Sequence, residues 1–149
     1  MLFRSVKPTL GAQIHRLILE NTKFDMYDLG GQDRLREVWY DKKFNPSGIV
    51  YVVDCTGDAE YMKKTWNEFS KVAAFYYGEQ STQNLSQIPL LILGNKIDAV
   101  KGDYRYILKN VLFDIKKGIK YFMGYCSAKE NTGVHENFNW LIGEIVKIA

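Results

Sequence analysis

The sequence predicts an α/β chain with a mostly parallel, doubly wound sheet and one antiparallel hairpin. Three observations predict it. Gly48 to Asp54 and Pro89 to Gly94 are apolar runs without alternation, as in strands covered on both faces. Segments with apolar residues at helical spacing lie between and after these runs, the order of a doubly wound fold. Two extended segments, Ala12–Glu20 and Lys23–Asp28, flank Asn21-Thr22 and read as a hairpin.

After the hairpin, Leu35, Val38 and Trp39 set a helical period within Asp33 to Phe44, which ends before Pro46. The first buried strand closes on Asp54. From Ala59 to Tyr77, Met62, Trp66, Phe69 and Ala73 form one stripe of an amphipathic helix. The polar stretch from Gly78 to Gln87 is a surface loop. The second buried strand follows, and then Asp103 is placed to cap a helix with Ile107, Leu108, Val111 and Leu112 inward. Ile119 to Cys126 reads as a third, more mixed strand. Val134, Phe138, Leu141, Ile145 and Ile148 mark a docked C-terminal helix.

A chain of 149 residues fits one domain with a real core. A net charge of +3 gives no case for nucleic acid or an anionic membrane. Cys55 and Cys126 end apolar runs and read as small core residues of a reducing compartment. His15 and His135 have no partner at metal-ligand spacing and read as surface or helix-start residues. No apolar run approaches the ~20 residues that a bilayer needs. Met1 to Ser5 is neither a signal peptide nor a myristoylation signal, since residue 2 is leucine.

In doubly wound sheets, ligands bind beyond the carboxyl ends of the strands. Here those ends read Asp28-Leu29-Gly30-Gly31, Asp54, Asn95-Lys96-Ile97-Asp98 and Ser127-Ala128-Lys129. Asp28 can hold a cation or its waters, and the glycines let backbone N–H groups approach a phosphate. Gln32 has both a donor and an acceptor with which to position a water. Taken alone, that stretch is equally a strand, a Gly-Gly turn and an exposed polar residue. The carboxylate of Asp98 can accept from a guanine's N1–H and exocyclic amine. The stem of Lys96 can lie across the base, Asn95 can tie neighbouring loops, and the Ser127 turn can offer an N–H to the guanine carbonyl. Taken alone, each is also an ordinary turn. Upstream, the proline in Lys7-Pro8-Thr9-Leu10-Gly11 holds a threonine whose hydroxyl suits Mg²⁺ and whose N–H suits a γ-phosphate. Gly31 would supply a second N–H, making a loop pair that hydrolysis releases.

Together, Pro8-Thr9-Leu10-Gly11, Asp28-Leu29-Gly30-Gly31-Gln32-Asp33, Asp54, Asn95-Lys96-Ile97-Asp98 and Cys126-Ser127-Ala128-Lys129 resemble a small GTPase of the Arf and Arf-like family. Gly-Gly-Gln-Asp with Trp39 favours that family over Ras or Rab. The resemblance covers almost the whole chain and implies a Ras-like G-domain, the P-loop NTPase fold, incomplete at the N-terminus. It implies Mg²⁺ at Thr9 and Asp28, the γ-phosphate at Thr9 and Gly31, and Gln32 as the catalytic residue that orients water. Asn95, Lys96, Asp98, Ser127, Ala128 and Lys129 would bind guanine. Residues 4–12 and 29–44 would be the two switches, and 13–28 the hairpin between them. The implied ligands are GTP or GDP with Mg²⁺. The implied role is a cytoplasmic switch in trafficking or ciliary-type regulation, acting through protein effectors or a host complex.

Two departures shape the expectation. No Gly-x-x-x-x-Gly-Lys-Ser/Thr occurs in these residues. Without such a loop, charge-assisted bonds worth ~6 kcal/mol or more are lost, and nucleotide affinity is expected to fall by ~10⁴ or further. The alternative function is then a nucleotide-free G-domain serving as a structural subunit, with a partner filling the place of a central strand. The second departure concerns three positions that are aromatic on the family's switch surface. Here they are Ala12, Tyr27 and Lys42.

Overall fold

A computed structural model describes residues 11–19, 21–41, 43–78, 87–111 and 118–148. The chain divides into two compact units, residues 1–44 and 45–149.

In the first unit, β1 (Ala12–Leu19) and β2 (Thr22–Leu29) form an antiparallel hairpin with Ala12 opposite Leu29 and Leu19 opposite Thr22. The turn is one residue earlier than expected. Thr22 already belongs to the ladder, and Asn21 takes the left-handed conformation (φ 64°) that asparagine tolerates well. Leu17, Leu19 and Phe24 are half-buried on one face. The other face carries Ile14, Ile18 and Tyr27, all exposed, and an Arg16–Asp25 ion pair at 3.4 Å. The segment after the glycines winds as a 3-10 helix over Asp33–Tyr40, closed by the Asp41 N–H on the Val38 carbonyl. The expected longer helix to Phe44 stops there.

In the second unit, β3 (Ile49–Asp54), β4 (Leu90–Asn95) and β5 (Tyr121–Tyr125) form a parallel sheet in the order β3-β4-β5. The central strand bears out the expectation of burial on both faces, with Leu90, Leu91 and Ile92 fully buried. The outer strands do so only in part. Val52 of β3 is 56% exposed, and Tyr121 and Phe122 of β5 are also exposed, since among the described residues each of these strands has a neighbour on one side.

Helices cover both faces of this sheet. α1 (Ala59–Tyr77) starts at Asp58, whose carboxylate accepts from the Tyr61 N–H. Its inward face is Thr65, Phe69, Val72 and Tyr76, with Met62, Trp66 and Ala73 half-buried beside it. The buried stripe is thus turned by one residue from the apolar reading. Thr65 faces the sheet at the level of Tyr51, whose hydroxyl donates to the Thr65 backbone carbonyl at 3.0 Å, while Phe69 packs edge-on against the Tyr51 ring.

α3 (Val134–Ile148) covers the opposite face. Leu141 joins Leu91, Leu93 and Cys126, flanked by Val134, Phe138 and Ile145 as expected. Ile148 is exposed instead of docked. Asp103 does cap, accepting from the Arg105 N–H, but the first turn is a 3-10 helix, Tyr104–Tyr106, that leads into α2 (Ile107–Val111). Leu108 is fully buried. Leu112 and most of the expected 78–87 loop lie outside the described residues.

Parallel strands place β3, β4 and β5 with their carboxyl ends at one edge. Gly94 permits this close approach, because a Cβ there would sit 2.7 Å from the Cys55 sulfur and 2.8 Å from the Tyr125 ring. Gly94→Ala should therefore destabilise the protein by about 1–3 kcal/mol through overpacking, read as a lower urea midpoint.

Candidate functional site

The second unit assembles a polar corner where β3, β4 and β5 end. β4 stops at Asn95, whose carbonyl oxygen Oδ1 accepts from the Lys96 N–H at 2.8 Å and the Ala128 N–H at 3.0 Å. The Cys126 thiol lies 3.5 Å from the same oxygen. Asn95 thus ties the two loops, as its position predicts. Ile97 donates its N–H to the Cys126 carbonyl, and Cys126 donates to Gly94, which stitches the strand ends together.

Asp98 follows in a short 3-10 turn, Ile97–Ala99. Its backbone is exposed but its carboxylate is tucked in, with 9% of the side chain accessible. The fully buried Ser127 donates its hydroxyl to Asp98 Oδ1 at 2.6 Å and accepts from the Glu130 N–H. Ser127 is itself held by paired backbone bonds with Thr132. Lys129 reaches to 4.0 Å from Asp98 Oδ2. A carboxylate has about four lone-pair sites, so one bond from Ser127 fixes its plane and leaves the others for a ligand.

Lys96 has a partner that the sequence did not name. It is held left-handed (φ 66°), and its ammonium bonds Asp54 Oδ2 at 2.6 Å. The other Asp54 oxygen accepts from the Thr56 N–H and hydroxyl at 2.9 and 2.6 Å. Burial works against the Asp54 charge, but hydrogen bonds from Lys96 and Thr56 outweigh it and hold the carboxyl below its usual 3.8. The bond to Asp54 holds Lys96 above its usual 10.5. Asp54's share of stability is therefore present above 3.8 and lost as pH falls through its lowered folded value. Lys96's share is present below 10.5 and lost as pH rises through its raised one. Lys96→Met should cost at most about 1 kcal/mol, and the same amount across about pH 5 to 9, in melting midpoints.

The sequence named Asp54 only as a strand end. Thr56 was missed, although Asp-x-Thr is a recognisable local turn signal. The Ala128 N–H, expected to face a guanine carbonyl, is engaged by Asn95 here.

Burial, aided by Asp54 and Cys126, pushes the Cys55 thiol up to about 11, and burial raises Cys126 also. Relative to the ordinary 9.0, that leaves about 100-fold less Cys55 thiolate near neutrality. Iodoacetamide should therefore label Cys55 in the folded protein about 100-fold more slowly than in urea.

The first unit carries the residues that the resemblance assigns to the phosphates. Asp28 lies near the end of β2 opposite Gln13, and its carboxyl-bearing residue is exposed. The Gly30 carbonyl accepts the Trp39 indole N–H at 3.0 Å, and the Gly31 carbonyl accepts from Arg36 at 3.1 Å. Arg36 also stacks over Trp39 and pairs with Asp33. Gly31 is exposed with open space around it, and Gln32 precedes the 3-10 helix in extended backbone with no capping bond from its side chain. Thr9, Pro8 and most of the expected 4–12 switch lie outside the described residues, as does Lys42. Among the described residues no three His, Cys, Asp or Glu side chains gather to hold a metal. A single exposed carboxylate fits a Mg²⁺ that arrives with a nucleotide's phosphates, which supply most of its oxygens.

The sequence profile of the ADP-ribosylation factor family matches residues 2–145. The chain belongs to that family. This Arf-family chain is 26% identical over 139 residues to ADP-ribosylation factor K of Dictyostelium discoideum, spanning 93% of this chain and 70% of that one. It is 29% identical over 142 residues to human ADP-ribosylation factor-like protein 5A, spanning 93% and 73%. The solved structure of the Arl6 BBS3 small GTPase from Trypanosoma brucei, with the nucleotide analogue GppNp bound, superposes with a TM-score of 0.84. That match spans 98% of this chain and 86% of that one at 20% identity. The superposition establishes the fold as that of a Ras-like G-domain. The family is one of GTP-binding regulatory GTPases, so the Asn95–Asp98 and Ser127–Lys129 turns occupy the strand ends at which the resemblance placed guanine.

Proposed function

We propose that this Arf-family protein is a GTP/GDP switch whose guanine is read by the Asp98 carboxylate and whose slow hydrolysis runs through Gln32. The observation that carries this reading is the assembled corner. Asn95 bridges two backbone N–H groups from two loops, and a buried serine orients Asp98 without saturating it. The Ser127–Asp98 bond satisfies the buried hydroxyl and still leaves acceptor capacity on the carboxylate for a base. When the base sits there, Asp98 accepts from N1–H and the exocyclic amine, and the Lys96 stem forms its floor. On the phosphate side, Thr9 and Asp28 would hold Mg²⁺, and Gly31 would offer its N–H to the γ-phosphate. Gln32 would orient the attacking water with its paired donor and acceptor. By analogy with its family, the proposed switch would act in the cytoplasm, in trafficking or ciliary-type regulation, on protein effectors.

The test is to denature the purified native protein and resolve the released nucleotides by ion exchange. Near-stoichiometric GDP or GTP supports the switch. An empty protein, with no thermal shift on adding GTP and Mg²⁺, overturns it.

A second reading is favoured by β3. Among the described residues that strand pairs only with β4, and Val52 is 56% exposed on it. A parallel sheet is ordinarily covered, so a partner's strand added at this edge would make the protein a structural subunit. An empty protein that co-purifies with a stoichiometric second chain is its expected signature.

A further inference from the structure

Lys96 is fixed at both ends, which is unusual for a lysine with over half of its side chain exposed. Its backbone is locked in the left-handed region, with the N–H on Asn95. Its ammonium is bonded to Asp54. Asp54 is fixed in turn, because Thr56 holds its second oxygen twice and its own N–H donates to the Tyr61 hydroxyl at 3.2 Å. The Tyr61 ring packs over Gly57, where a Cβ would fall 2.0 Å from it. The Asp54 carboxylate is therefore a rigid post at the end of β3, and the Lys96 stem spans from that post to the end of β4.

We propose that Asp54 is a positioning residue for nucleotide binding, which pre-stretches Lys96 as a strut so that its stem is already laid out where the base binds. The inference rests on the functional reading above, since it requires a base in the corner. A free lysine carries about 2 kcal/mol of rotamer entropy, and binding must otherwise freeze it. Losing the strut should then weaken binding by up to about 30-fold. Thr56 and Tyr61 act one step further out, by holding Asp54.

The experiment is a double-mutant cycle on the full chain with Asp54→Asn, Lys96→Met and the pair, reading Kd and dissociation rate with a fluorescent GDP. Asn keeps an acceptor for Thr56, and Met keeps an unbranched apolar stem. The expected result is a loss of about 5- to 30-fold in each single variant, carried by faster dissociation, with the double variant no worse than the weaker single. Ligand-free melting midpoints should move by less than about 4 °C, which separates positioning from folding. Losses that multiply in the double variant overturn the strut, as does unchanged or tighter binding by Asp54→Asn. The latter would mark Asp54 as a competitor for Lys96. If the unsubstituted protein binds no GDP, the functional reading fails and takes the strut with it. If it binds and Asp54→Asn matches it, the strut fails alone.

Discussion

Asp98→Asn should lower GDP affinity by at least about 100-fold and raise affinity for xanthosine diphosphate. In the proposed site the carboxylate would accept two hydrogen bonds from the guanine edge, each worth ~1.5–3 kcal/mol when charge-assisted, so ~3 kcal/mol is the smaller total. An asparagine amide offers one acceptor and one donor. That pair suits xanthine, which presents a carbonyl where guanine presents an amine. The Ser127 hydroxyl keeps an oxygen to donate to, so the turn should hold its shape. Titrations with fluorescent GDP and xanthosine diphosphate measure both arms. Unchanged GDP affinity in a protein that binds GDP would remove Asp98 from the site.

Leu91→Ala should cost ~2–5 kcal/mol and lower the melting midpoint by about 4–20 °C. Leu91 is fully buried on the central strand, where Leu93, Cys126 and Leu141 surround it. Strand neighbours on both sides and α3 above hinder collapse around the missing atoms, so a cavity persists. Val52→Ala is the matched control. Val52 is also a strand aliphatic, but at 56% exposure its truncation should stay within about 0.5 kcal/mol. Differential scanning calorimetry of the three proteins decides it. Equal costs would mean that the β3 edge is covered in solution.

Much of this arrangement was legible in the residues, and the failures share a cause. Uninterrupted apolar runs announced β3 and β4, because a strand sandwiched between helices has no polar face to show. The same logic misjudged Val52, since apolarity records what a side chain tolerates and not which neighbour is present. The α1 stripe was turned by one residue because Thr65 counts as polar in an apolar periodicity, and its place opposite Tyr51 shows only in the packed helix. The turn at Asn95–Asp98 was readable from its place after a strand. The partner of Lys96 was not, because Asp54 is 42 residues away in sequence and only the parallel register of β3 on β4 brings it near. The 3-10 winding of Asp33–Tyr40 carries the same apolar spacing as an α-helix over so short a run, and spacing alone does not separate them.

The middle position of β4 has a consequence in time. Its amides are bonded to strands on both sides and screened by helices above and below, so their exchange with deuterated water should require opening the whole unit. The hairpin is a two-stranded ribbon with an exposed face, and such ribbons open locally. Under native conditions the amides of Leu91 to Leu93 should be the last to exchange, while those of Ile14 and Ile18 exchange early. Among the described residues, the Asn95–Asp98 corner is therefore mounted on the slowest clock, and the Gly30-Gly31 turn on a faster one.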